Sequence, residues 1–248
     1  MAVLDWLTAR PVAHRGLHDA SAGVIENTPS AIAAAIAANY AIEVDLQITA
    51  DDEGMVHHDD ALGRLTDGRE ALATLTAAEL KMISFRSTAD RMLTLMELCD
   101  LVGGRVPLLM ELKSRFDGDE RLVTRTAAVM KGYKGPFAAM SFDPGLVQAL
   151  RREAPWMKRG IVAERWYRHA EWTSLSRYRK WIMGNLLHGL QTRPHFVAYH
   201  VNDLPALAPL VARHALGLPL LTWTVRTPED RQCADKWASQ MIFEGFRP

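Results

Sequence analysis

Three histidines, an arginine, a lysine and three carboxylates fall where short apolar runs of this chain end. His14 and Arg15 close the run PVAHR with Gly16 behind them, Glu43 and Asp45 sit in IEVDLQ, His57 and His58 follow in MVHHD, and Glu111 and Lys113 close VPLLMELK. Residues two apart on a strand project to one side, so Glu43 and Asp45 share a face, as do Glu111 and Lys113, while Val44 and Leu46 face the other way. Carboxylates crowded on apolar strands are costly unless a cation neutralises them. Three carboxylates with no cysteine ligand favour one hard divalent cation: Mg²⁺, Ca²⁺ or Mn²⁺. The competing structural reading is a set of ion pairs, Glu43, Asp45 and Glu111 with Arg15 and Lys113, that plugs the end of a barrel.

The remaining residue types fit phosphoryl chemistry. His14 and His58 can act as acid and base because an imidazole titrates near neutral pH. Arg15 offers a planar fork suited to a phosphate, and Gly16 lets the backbone approach a ligand closely. Asn27 precedes the first clear helix and either orients a ligand or caps that helix. The other histidines read as ordinary structural groups.

What must position these side chains is a repeating strand–helix pattern. Eight strand-like runs recur, at 11–15, 42–47, 106–112, 137–142, 159–163, 196–201, 219–225 and 240–246, separated by helical patterns. Helix starts are signalled by Thr28-Pro29, Asp143-Pro144 and Thr227-Pro228, and by the capping box Thr76–Glu79. With no linker-like stretch, this predicts one domain over 1–248, a single (β/α)₈ TIM barrel whose active site lies at the C-terminal ends of its strands. The run MVHHD stands too close to the second strand for a parallel crossover, so it is read as a β-hairpin extension after strand 2. A symmetric turn near 51–52 sets His58 opposite Asp45; a slip of one residue would put His57 there.

Composition is that of a globular protein: 248 residues, 48% apolar, 23% charged, with 29 basic and 29 acidic residues. The balanced charge predicts no nucleic-acid partner. Cys99 and Cys233 match no metal or redox spacing and read as small buried hydrophobes. The N-terminal residues lack a signal-peptide pattern and no apolar run is long enough to span a bilayer, so the expected location is cytoplasmic.

The chain also resembles the glycerophosphodiester phosphodiesterases. The resemblance is carried by His14-Arg15-Gly16, Glu26-Asn27-Thr28, Glu43-x-Asp45, the turn TADDEG, His58-Asp59-x-x-Leu62-x-Arg64-x-Thr66 and Glu111-x-Lys113, in the family's order and spacing. Ser141-Phe142-Asp143 and Trp223-Thr224-Val225 fit as well, so it extends over nearly the whole chain. It implies a (β/α)₈ barrel that cleaves a glycerophosphodiester, its small-molecule partner, to sn-glycerol 3-phosphate and an alcohol. By the same resemblance, Glu43, Asp45 and Glu111 bind one divalent metal, and His14 and His58 are the general acid–base pair. Arg15 and Lys113 then contact the phosphate, and Phe142 and Trp223 line the glycerol side of the site.

Two features depart from the family. The usual Thr-Asp-x-Pro at the end of the last strand is replaced here by Phe243-Glu244-Gly245-Phe246-Arg247-Pro248, which puts a contribution of strand eight to the site in doubt. The segment after His58 is short and holds two helical patterns, TAAELKMI and LTLMELCDLV, so no insertion domain and an open mouth are expected. Outside the resemblance, residues 165–193 carry six basic residues against the single acid Glu171, interleaved with Trp166, Tyr167, Trp172, Tyr178 and Trp181. An amphipathic barrel helix with a solvated basic face is the favoured reading of this stretch. Head-group recognition, contact with a membrane and contact with a second subunit in a homo-oligomer stay open. The alternatives to a soluble phosphodiesterase are a lysophospholipase D-like enzyme acting on membrane lipid and a non-catalytic polyol-phosphate-binding barrel.

Overall fold

The computed structural model describes residues 4–248. Nine strands form one sheet: β1 (Val12–Ala13), β2 (Ala41–Ile48), β3 (Gly54–Val56), β4 (Leu108–Leu112), β5 (Phe137–Ser141), β6 (Lys158–Ala163), β7 (Phe196–His200), β8 (Leu220–Val225) and β9 (Gln240–Phe243). Eight of them run parallel in the order β1-β9-β8-β7-β6-β5-β4-β2, and a further β1–β2 pairing closes the ring. The remaining strand, β3, pairs antiparallel with β2, so both the closed barrel and its hairpin extension are as the sequence predicts.

Between the strands lie α2 (Pro29–Ala37), α3 (Ala77–Met82), α4 (Leu95–Val102), α5 (Arg121–Met130), α6 (Pro144–Glu153), α7 (Arg177–Gly184), α8 (Gly189–Thr192), α9 (Leu207–His214) and α10 (Pro228–Trp237); a short α1 (Asp5–Thr8) precedes β1. The start signals act as expected in most cases. Thr76 and Glu79 form a reciprocal capping box, Thr227 does the same with Asp230, and Asp143 accepts from the Gly145 amide. Thr28 differs: its hydroxyl donates to the Ile25 carbonyl instead of capping α2.

Strand alternation separates two buried layers. Val12, Ala41, Leu109, Ala138, Phe196, Leu221 and Ile242 form one cluster, the filling of the barrel. Val44, Leu46 and Met110 belong to another, packed on Leu95, Leu98 and Leu122 of the surrounding helices. Room inside is tight: a Cβ at Gly160 would stand 2.3 Å from the Phe196 ring, so only glycine leaves that ring its place. Glu43 and Asp45 continue the inward face of Ala41 toward the C-terminal mouth, and in-register pairing sets Asp45 beside Glu111.

Candidate functional site

The first strand is only two residues long, so His14 and Arg15 lie on the turn that leaves it. The His14 amide still bonds the Phe243 carbonyl at 2.9 Å, after which Arg15 and Gly16 both take left-handed backbone conformations, φ 55° and 80°. That turn aims the Arg15 amide at Glu43 Oε2 (3.0 Å) and the Gly16 amide at the Glu43 carbonyl (3.2 Å). A Cβ at Gly16 would lie 2.9 Å from Ala31, so the close approach to α2 demands glycine.

Glu43, Asp45 and Glu111 are buried, and each offers an oxygen within 4.8 Å of the other two. Their surroundings are unequal. Asp45 has Lys113 Nζ at 2.8 Å and Arg15 Nε at 3.2 Å, and Lys113 reaches Glu111 at 2.6 Å. Burial opposes ionisation of Asp45, yet Lys113 and Arg15 hold its carboxyl well below the usual range. Glu43 has no such clamp. Burial, then the Asp45 and Glu111 charges, push its carboxyl well above the usual range, and its buried Oε1 has no hydrogen-bond partner. An all-oxygen donor set with one uncompensated carboxylate fits a hard divalent cation.

His14 reaches this trio, His58 lines the adjoining cavity, and each ring is held at Nδ1 by a carboxylate that an arginine holds in turn. His14 Nδ1 lies 2.6 Å from Glu244 Oε2, whose other oxygen is 2.6 Å from Arg226 Nε; His14 Nε2 stands 3.9 Å from Glu43. Burial lowers the His14 pKa, outweighing the Glu244 hydrogen bond that raises it. His58 Nδ1 lies 2.8 Å from Asp59 Oδ1, and Arg64 Nε bonds Asp59 Oδ2 at 2.7 Å. The hairpin register pairs Leu46 with Val56, and the His57 amide bonds the Asp45 carbonyl, so His57, not His58, stands opposite Asp45. The one-residue slip has a useful result. His57 is buried beneath the hairpin end, and the next residue, His58, lines the open mouth.

Other residues singled out in the sequence take definite places. Asn27, buried and at φ 58°, donates from Nδ2 to Asp45 Oδ2 (2.9 Å) and accepts from the Asp45 amide (3.3 Å), which braces that carboxylate from behind. Phe142 and Trp223 meet edge to face at 5.4 Å. A cavity of about 490 Å³ opens beside them, lined by His58, Glu111, Lys113, Phe116, Phe142 and Trp172. Tyr167 and Trp172 of the basic aromatic stretch are buried against Phe142 and Phe116, whereas Trp166, Tyr178 and Trp181 are exposed. Sequence reasoning assigned no role to Glu26, Asp59, Arg64, Arg226 or Glu244. Glu26 bonds both Arg15 (2.7 Å) and Arg64 (2.6 Å), which draw its carboxyl down to about 2 against the opposing effect of burial. The doubt over strand eight is corrected: Glu244, the residue after β9, touches His14 directly. Position in the motifs flagged Glu26, Asp59 and Arg64; nothing local flagged Arg226.

A family model described as the glycerophosphoryl diester phosphodiesterase family matches residues 14–246. The chain belongs to that family. Family membership makes it a phosphoric diester hydrolase and agrees with the barrel seen here. A glycerophosphodiester phosphodiesterase of Caldanaerobacter subterraneus subsp. tengcongensis is 25% identical over 232 residues, 89% of this chain and 87% of that protein. Among solved structures, a phosphodiesterase of Oleispira antarctica in complex with the product sn-glycerol-3-phosphate superposes with a TM-score of 0.77 at 19% identity, covering 96% of this chain and 94% of the other. A protein of Silicibacter pomeroyi described as a glycerophosphoryl diester phosphodiesterase gives 0.75 at 24% identity, over 94% and 89% of the two chains. Among the described residues no helix is long and apolar enough to cross a membrane.

Proposed function

We propose that the protein hydrolyses glycerophosphodiesters to sn-glycerol 3-phosphate and an alcohol, using one divalent cation (Mg²⁺, Ca²⁺ or Mn²⁺) held by Glu43, Asp45 and Glu111. The observation that carries this reading is the buried carboxylate trio with Glu43 Oε1 unpartnered, with His14 Nε2 3.9 Å from Glu43 and His58 lining the same cavity as Glu111. When bound, the cation supplies Lewis-acid polarisation of the phosphoryl oxygens. Arg15 and Lys113 add fixed positive charge where negative charge grows in the transition state. Burial keeps His14 neutral near pH 7, so its Nε2 accepts a proton from the attacking water or glycerol 2-hydroxyl. The new phosphorus–oxygen bond forms as the bond to the alcohol oxygen breaks, and His58 donates a proton to that leaving oxygen. Where the glycerol 2-hydroxyl attacks, a water then adds to the cyclic phosphate so formed and breaks its bond to the 2-oxygen, giving sn-glycerol 3-phosphate. Phe142 and Trp223 form the wall against which the glycerol carbons pack. The product named for the Oleispira antarctica structure agrees with this substrate class.

The test is a panel of glycerophosphodiesters, each incubated with and without the three metals, with coupled detection of glycerol 3-phosphate. Release of glycerol 3-phosphate that EDTA abolishes and metal restores is the expected result. Tight binding of the whole panel with no turnover under any metal would replace the enzyme by a polyol-phosphate-binding barrel. A second reading has its own observation: Trp166, Tyr178 and Trp181 are exposed among Arg165, Arg168, Arg177 and Lys180. Such a basic aromatic surface suits an anionic bilayer. Turnover of a lysophospholipid in vesicles exceeding that of every soluble diester would favour this second reading.

A further inference from the structure

Three consecutive barrel strands, β1, β9 and β8, are followed directly by His14, Glu244 and Arg226. Their register is what brings the three side chains into line. Ala13 pairs with Phe243, so the residues that follow, His14 and Glu244, leave the barrel side by side. The Glu244 amide bonds the Val225 carbonyl at 3.1 Å, which fixes Glu244 beside the residue after it, Arg226. The two carboxylate oxygens are then divided: Oε2 takes His14 Nδ1 and Oε1 takes Arg226 Nε, each at 2.6 Å. A carboxylate held at both oxygens cannot swing away from the ring.

We propose that Glu244 is a positioning residue for His14: it accepts the Nδ1–H, fixes the ring plane, and so leaves the Nε2 lone pair facing the carboxylate trio. The inference rests on the reading that His14 works at Nε2. A carboxylate accepts and cannot donate, so the contact selects the neutral tautomer protonated at Nδ1. The opposite tautomer would point an N–H at the reaction centre and disable the ring as a proton acceptor. Stability alone does not explain the arrangement, because Arg226 is about half exposed and a surface pair of this kind contributes little. The second imidazole repeats the same order of groups, His58–Asp59–Arg64, from a different part of the chain. Glu244 follows β9, the strand that pairs with β1, and so reaches His14 from the neighbouring strand.

The test compares Glu244→Ala, Glu244→Gln, His14→Ala and the double variant His14→Ala/Glu244→Ala on one glycerophosphodiester with metal saturating. We expect Glu244→Ala and Glu244→Gln to lower kcat by roughly 10²-fold or more, as loss of the correct tautomer does in other histidine-dependent sites, with KM changed less than about twofold. The double variant should be no slower than His14→Ala, because Glu244 acts only through that ring. Near-wild-type kcat in both Glu244 variants overturns the proposal. So does a change confined to KM, or a double variant clearly slower than His14→Ala. Thermal melting of each variant separates a folding defect from a catalytic one, and the Gln variant keeps the side-chain volume should Ala fail to fold. The two readings fail separately: an active His14→Ala enzyme removes the proposed mechanism, whereas an inactive His14→Ala beside an active Glu244→Ala removes only this inference.

Discussion

Replacing Glu43 by Gln should make the metal-free protein more stable and the metal-loaded protein inactive. Glu43 is the carboxylate without a cationic partner of its own, since Lys113 bridges Asp45 and Glu111. Its charge lies within 4.8 Å of both other members of the trio. At an effective dielectric constant near 20, two unit charges at that distance repel by about 3.5 kcal/mol. Partial protonation of Glu43, whose carboxyl burial and neighbouring charges push up, and relaxation of the site absorb some of this. We expect a net gain of about 2 kcal/mol for Glu43→Gln in EDTA, which for a domain of this size raises Tm by roughly 4–8 °C. The wild-type protein should gain instead from metal. At a concentration one hundred times Kd, binding to the folded state alone stabilises by about 2.7 kcal/mol, or roughly 5–11 °C. The assay is differential scanning fluorimetry of both proteins, in EDTA and across a titration of Mg²⁺, Ca²⁺ and Mn²⁺. The wild-type curve should move up with metal and the Glu43→Gln curve should start higher and stay. A Glu43→Gln protein that melts lower than wild type in EDTA, and still shifts with metal, would refute the argument that an uncompensated charge sits there.

Further outcomes can be read from the same site and core. His58→Ala should recover much of its lost rate on a diester with a 4-nitrophenyl leaving group, which needs no proton, while His14→Ala should not; parallel kinetics on the two substrates distinguish the roles, and equal recovery would reverse or merge them. Lys113→Met should destabilise the protein in EDTA by a few kcal/mol, roughly what loss of one partner of a buried ion pair costs, because Asp45 and Glu111 lose their shared cation; urea denaturation with and without metal measures it. Burial lowers the His188 pKa from 6.5 to about 4. A depressed histidine contributes stability that is fully present above pH 6.5 and is lost as pH falls toward 4, here about 3 kcal/mol. His188→Gln should therefore flatten the fall in Tm between pH 6.5 and 4, and an unchanged slope would count against a buried, neutral His188. His195, lowered by burial to about 4 as well, keeps part of the slope in that variant.

The barrel was legible in the chain because its signals are local. Alternating apolar strands, a threonine or aspartate before a proline, and the capping box at Thr76 each act within a few residues, and the spacing of MVHHD behind β2 allowed only a hairpin. Glu43 and Asp45 were legible as a shared face for the same reason, since the pleat repeats every two residues. What local pattern does not set is register. A turn one residue longer on one side exchanged His57 for His58 opposite Asp45, and only the folded hairpin decided which ring was buried and which faced the mouth. Asn27 shows a similar limit: its place before α2 suggested a cap or a ligand contact, and its side chain instead braces Asp45 because the chain there turns through a left-handed conformation. The His14–Glu244–Arg226 line joins residues 230 and 18 positions apart, and it exists only because closure of the barrel puts the first strand beside the last. By itself the amino-acid sequence determined the fold class, the family and the presence of three strand-end carboxylates compatible with a metal ion. Tertiary structure alone decided which carboxylate lacks a cationic partner and which groups hold His14, because those contacts depend on strand register and barrel closure, and no short stretch of chain encodes either.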